Sequence, residues 1–161
     1  MIIFGAIFLF FYWRNSFNLF KELESKNILV KSPKKFYYLG VFSCIFLILH
    51  ALFLGLDFGS ELFQKLRRVI IILFILFEIL AQAFLTRILF KSKEELKSYI
   101  NPLFLKIKIA FVSMIFFITF ISLALLIWGN LDGSHKHILE WNYFSALLIY
   151  YLLTFFFWRR A

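Results

Sequence analysis

Residues 69–86 read VIIILFILFEILAQAFLT, a run with a single ionisable group, Glu78. Beyond Arg87 the apolar pattern resumes to Phe90. A buried strand ends within about 4–8 residues, so a run of this length is helical. It also meets the roughly 17–25 residues that a helix needs to cross a bilayer. The stretch from about 69 to 90 therefore reads as a transmembrane helix with a carboxyl group near its middle.

Working outward, the rest of the chain repeats the pattern. Ile109–Trp128 and Trp141–Trp158 carry no charge at all, and Phe36–Leu56 carries one ionisable group, His50. The crossings are placed at about 36–57, 69–90, 107–128 and 141–158. The opening run Met1–Trp13 is wholly apolar but short, about 20 Å against a core of roughly 30 Å. It lacks a basic start and a small-residue cleavage site, so it is read as a retained, short first crossing at about 1–13. Phe17, Leu19 and Phe20 would continue it as an amphipathic extension.

Composition agrees. Of 161 residues, 63% are hydrophobic, and Phe alone occurs 25 times; mean hydropathy is +0.87. An average soluble domain is roughly 45–50% apolar, and one this small has too little interior to hide more. The fold class expected is an all-α integral membrane protein. It would be a single polytopic domain of four long transmembrane helices plus a short N-terminal one. The one cysteine, Cys44, excludes an intramolecular disulfide and any Cys-x-x-Cys redox motif.

Aromatic residues mark the borders. Trp13, Trp128, Trp141 and Trp158 all fall at proposed span ends, where an indole keeps one face apolar and one edge wet. Tyr37 and Tyr38 open the second span. The net charge of +9 fits the same picture. Residues 14–35 and 87–108, with Arg159 and Arg160, hold fourteen of the 18 basic residues; the connections 57–68 and 129–140 hold the other four. The positive-inside rule then puts the C-terminus in the cytoplasm, and the N-terminus outside if the first segment spans. The expected location is a cell inner (plasma) membrane. Ser32–Pro33 and Asn101–Pro102 pair a capping residue with a proline suited to a first helical turn. Ser92-Lys-Glu-Glu95 matches a capping box and predicts a short surface helix over 93–100. Asp132–Gly133 marks a turn.

Few residues are candidates for chemistry. Glu78 stands about 15 Å into its helix, and a carboxyl group at that depth faces the bundle interior and finds a partner. Gln82, one turn on, shares its face. His50 lies about 10 Å into the neighbouring helix, so an imidazole–carboxyl contact is the expected pairing. Ser43, His50 and Asp57 recur every seven residues and share one face. The cluster Glu78, His50 and Gln82 reads either as an interhelical hydrogen-bonded lock or as a proton site. A weaker cluster, His135, His137 and Glu140, lies in the last outer turn. Its His-x-His spacing suits an extended edge rather than a helical metal site, so no metal is assigned. Small and hydroxylated residues at Ala146, Tyr150 and Thr154 mark a helix-contact stripe.

No cofactor is predicted. Haem through His50 lacks a second histidine within a span. No phosphate loop, nucleophile elbow or zinc-protease signature occurs, and the cations border spans rather than forming a nucleic-acid patch. The expected partners are the lipid bilayer and either a larger membrane complex or a second copy; nucleic acid is excluded. The function expected is a non-enzymatic accessory, interaction or assembly subunit. The alternatives are a small proton-coupled transporter or channel component using Glu78 and His50, and a membrane redox or quinone-handling subunit.

Overall fold

In the computed structural model, residues 2–26, 34–56, 60–128 and 145–154 are described, together with Asn142 and Phe156. Among them all regular structure is helical. The helices are α1 (Ile2–Ser25), α2 (Lys34–Leu54), α3 (Glu61–Lys91) and α4 (Pro102–Trp128), followed by the shorter α5 (Ser145–Thr154). The four long helices are each long and apolar enough to cross a membrane. The chain forms two compact units, Met1–Leu85 and Thr86–Ala161.

Local chemistry sets the helix starts. Ser60 Oγ accepts the Phe63 N–H at 3.3 Å and caps α3. Asn101 Oδ1 accepts the Leu103 N–H at 3.1 Å, with Pro102 in the first helical position, so the cap–proline expectation is met here. Ser32–Pro33 and Asp132–Gly133 lie outside the described residues. Ser92–Tyr99 forms successive hydrogen-bonded turns instead of the expected surface helix. Leu96 and Ile100 are buried there.

Two helices outrun their apolar cores. α1 is continuous to Ser25, so Trp13 stands at its midpoint and not at a helix end. Its ring is wholly buried, which corrects its reading as a rim anchor. α3 begins at Glu61, so Lys65, Arg67 and Arg68 are helical rather than part of a connection. Lys, Arg, Leu and Gln are all strong helix formers, and nothing between Glu61 and Val69 breaks the helix.

In the first unit, ring pairs give the packing. Trp13 meets Phe36 at 6.1 Å, Phe17 stacks on Tyr37 at 4.8 Å, and Phe20 meets Phe36 at 5.6 Å. Trp13 lies against Gly40, Phe17 against Tyr37 and Phe20 against Phe36, so the two helices run antiparallel. The buried α1 residues Ala6, Trp13 and Phe20 recur every seven positions, a seam of the coiled-coil kind. α2 and α3 are also antiparallel, with Phe46 stacked on Phe77 at 5.4 Å and Phe53 edge-on to Phe63 at 5.6 Å. The interior stripe of α3 is Ile70, Phe74, Glu78, Gln82 and Leu85.

Polarity is inverted relative to a water-soluble fold. Ser43, Glu78, Gln82, Thr86 and Lys108 are buried, whereas Phe8 is 76% exposed, Phe4 69% and Phe120 68%. Water-soluble domains do the reverse with charged groups, which are almost never fully buried unless paired.

At Gly40, α2 presents bare backbone to the Trp13 ring of α1. A Cβ there would overlap the Trp13 indole carbons. Gly40→Ala is therefore expected to destabilise the protein by about 1–3 kcal/mol, the usual cost of overpacking. Thermal unfolding in mild detergent checks this; an unchanged Tm would mean the indole does not seat on Gly40.

Candidate functional site

Glu78 lies on the interior stripe of α3, and its carboxyl group is fully buried. Three side chains donate to it. Gln82 Nε2, one turn along the same helix, reaches Oε1 at 3.1 Å. Ser43 Oγ of α2 lies 2.6 Å from Oε2. Trp13 Nε1 of α1 donates to the same oxygen at 3.3 Å. All four residues are at most 1% exposed. Trp13, Ser43 and Glu78 each sit near the middle of their helix, so one carboxyl group ties three helices together at mid-length.

Local sequence explains each placement. Gln82 follows Glu78 by four residues, which puts the two on one helical face. Ser43 lies three residues after Gly40, the position that admits the Trp13 ring. The same indole thus packs against the glycine with its carbon face and reaches Glu78 with its N–H, the division of labour expected of a buried tryptophan.

The hydrogens can be counted. Ser43 Oγ is also 2.7 Å from the Gly40 carbonyl oxygen. Its single hydroxyl hydrogen faces two acceptors. Both short contacts are hydrogen bonds only when Glu78 Oε2 carries a proton toward Ser43 Oγ and the hydroxyl turns to Gly40. With Glu78 ionised, Ser43 donates to the carboxylate instead. The cluster thus has two proton placements, and the neutral acid uses every contact. Burial of an uncompensated charge is what such a pattern avoids.

Of the residues expected here, Glu78 and Gln82 are brought together. His50 lies on α2 two turns beyond Ser43, a rise of about 10 Å, and is half-buried. Ser43, on the same heptad face, meets the carboxyl group. His135, His137 and Glu140 lie outside the described residues, as does Asp57. Among the described residues there is no group of three or more His, Cys, Asp and Glu side chains placed to hold a metal.

Trp13 escaped the sequence reading because a Trp followed by an Arg looks like a rim anchor. The signal that was available is Gly40, a small residue inside an apolar run where a large ring can seat.

The second unit holds another polar contact that the sequence did not assign. Lys108 of α4 is 1% exposed, while Lys106, two residues earlier, is exposed. Lys108 Nζ donates to Thr154 Oγ1 at 2.7 Å and lies 4.3 Å from the centre of the Tyr150 ring. Thr154 in turn donates to the Tyr150 carbonyl at 3.0 Å. The Tyr150–Thr154 stripe, read as a helix contact, is the surface that receives this lysine. Phe104 stacks on Phe156 at 6.0 Å beside it.

No family model, curated protein or solved structure matches this chain. What fold and site define is a class: among the described residues, a helical protein with four helices able to cross a membrane and polar groups turned inward.

The Glu78 contacts should be coupled. Glu78→Leu strands the Trp13 and Gln82 donors, each unsatisfied group costing about 1–3 kcal/mol, while Ser43 keeps the Gly40 carbonyl. Glu78→Gln keeps an acceptor for Gln82 and a donor for Ser43 but turns its NH2 toward the Trp13 N–H, so it should cost about one unsatisfied group, less than Glu78→Leu. A double-mutant cycle of Glu78→Leu with Trp13→Phe, read by unfolding in bicelles, should show about 0.6–1.7 kcal/mol of interaction energy. Strict additivity would contradict the Trp13–Glu78 bond.

Proposed function

We propose that this protein is a multi-pass integral membrane protein of a cell inner membrane. It acts as a non-enzymatic accessory, interaction or assembly subunit. Its C-terminus lies in the cytoplasm and its N-terminus outside. The observation that carries the subunit reading is the sealed state of Glu78. Its two oxygens are occupied by Gln82, Ser43 and Trp13, and the carboxyl group is fully buried. A carboxyl group enclosed in this way fastens helices; one that serves transport lines a water-filled path or substrate cavity. The inverted polarity supports the membrane reading. Phe4, Phe8 and Phe120 face outward, as side chains in an apolar solvent do.

Such a protein works through its surfaces. Its outward aromatic faces meet lipid or the helices of a larger assembly. The lysine-rich connection between α3 and α4 meets the cytoplasmic interface, where cations hold loops in place.

Two measurements test this. The tagged protein, solubilised in mild detergent, should co-purify with a membrane complex at fixed stoichiometry, and reciprocal tagging of that complex should recover it. In proteoliposomes carrying a pH-sensitive dye, an imposed potential should drive no proton flux above that of empty vesicles. Flux through the wild type that Glu78→Gln abolishes would overturn the subunit reading in favour of transport.

A further inference from the structure

The second unit carries a groove of about 200 Å³ where the end of α3, the turns 92–101 and the start of α4 meet. Its walls include Phe90, Leu105 and Ile109, and its rim includes Lys93, Lys97 and Lys106. The three lysines are exposed, and Leu105 is buried beneath them. One acidic residue, Glu94, shares the rim. It approaches Lys93 only at 3.9 Å, and both side chains are largely exposed, so the rim keeps an excess of positive charge. Lys93 Nζ also lies 5.4 Å from the centre of the Phe90 ring, which keeps the ammonium at the mouth of the apolar groove.

We infer that this groove is a binding site for one anionic phospholipid of the cytoplasmic leaflet, with the phosphate among Lys93, Lys97 and Lys106 and the chain against Phe90, Leu105 and Ile109. The inference rests on the membrane-spanning reading above, which sets the turns 92–101 at the lipid headgroups. Charge complementarity chooses the occupant. Basic pockets between transmembrane helices on this side of a membrane suit anionic headgroups. The apolar wall favours a lipid over a free anion, because inorganic phosphate gains nothing from phenyl and alkyl surface. Lysines that serve only to retain a loop in the cytoplasm need no groove beside them. The groove is small, so it holds the headgroup and first methylenes while the remaining chain runs along α4.

Full-length protein in detergent, titrated with phosphatidylglycerol or phosphatidylcholine and read by native mass spectrometry, tests the site. The expected result is one retained phosphatidylglycerol and no retained phosphatidylcholine. Lys93→Gln/Lys97→Gln/Lys106→Gln should weaken retention by about tenfold or more, since each interfacial cation is worth about 1 kcal/mol. Ile109→Trp fills the groove and keeps every charge, and it should also abolish retention. Equal binding of the two lipids would overturn the proposal. So would wild-type retention by Ile109→Trp, which would show diffuse attraction rather than a site. Displacement of the lipid by millimolar inorganic phosphate would show a plain anion site instead. Extraction of the protein from membranes by alkaline carbonate is a separate readout: it would defeat the spanning reading, whatever the lipid titration gave.

Discussion

A carboxyl group buried among apolar helices is costly unless its oxygens are occupied, and the first unit is built around meeting that demand at Glu78. Three donors converge on it, one from each helix of the unit. Each donor imposes a condition elsewhere. Trp13 must be buried, so α1 continues past it to Ser25. The indole needs room, so position 40 of α2 is glycine. Ser43 must stand one turn beyond that glycine, and Gln82 one turn beyond the glutamate. In lipid, where apolar surface gives little reason for helices to associate, close packing at small residues and interhelical hydrogen bonds do that work. Here both act at the same point, halfway along all three helices.

Much of the fold was legible in the sequence, because long apolar runs have few structural options. α2, α3 and α4 lie where uninterrupted hydrophobicity placed them, and the Asn101–Pro102 start was readable from capping chemistry. Helix ends were less legible. Hydropathy locates apolar segments, whereas helices continue through polar residues of good propensity. That is why α3 reaches back to Glu61, while α1 runs on to Ser25 along the amphipathic stretch marked by Phe17, Leu19 and Phe20.

The site was legible in part for the same reason. Glu78 and Gln82 are four residues apart on one helix, and local geometry alone joins them. Partners from other helices depend on register, which apolar run lengths do not set. Ser43 shares its α2 heptad face with His50, and the carboxyl group meets Ser43 two turns from the histidine. Trp13 was hidden by a rule that is sound on average: tryptophan followed by arginine marks a membrane rim. Lys108 was hidden likewise. A lysine two residues from another lysine reads as part of a solvated loop, yet alternate positions on a helix face different ways, and Tyr150 and Thr154 enclose this one.

The most direct test of the central claim is the indole N–H signal of Trp13, recorded by NMR on protein in lipid nanodiscs and assigned through Trp13→Phe. A bond to a buried carboxyl group predicts a Trp13 signal that resists exchange with deuterated water and shifts when Glu78 is changed to Gln. A Trp13 signal that exchanges rapidly and ignores residue 78 would place the indole at a wet rim and contradict the three-helix lock.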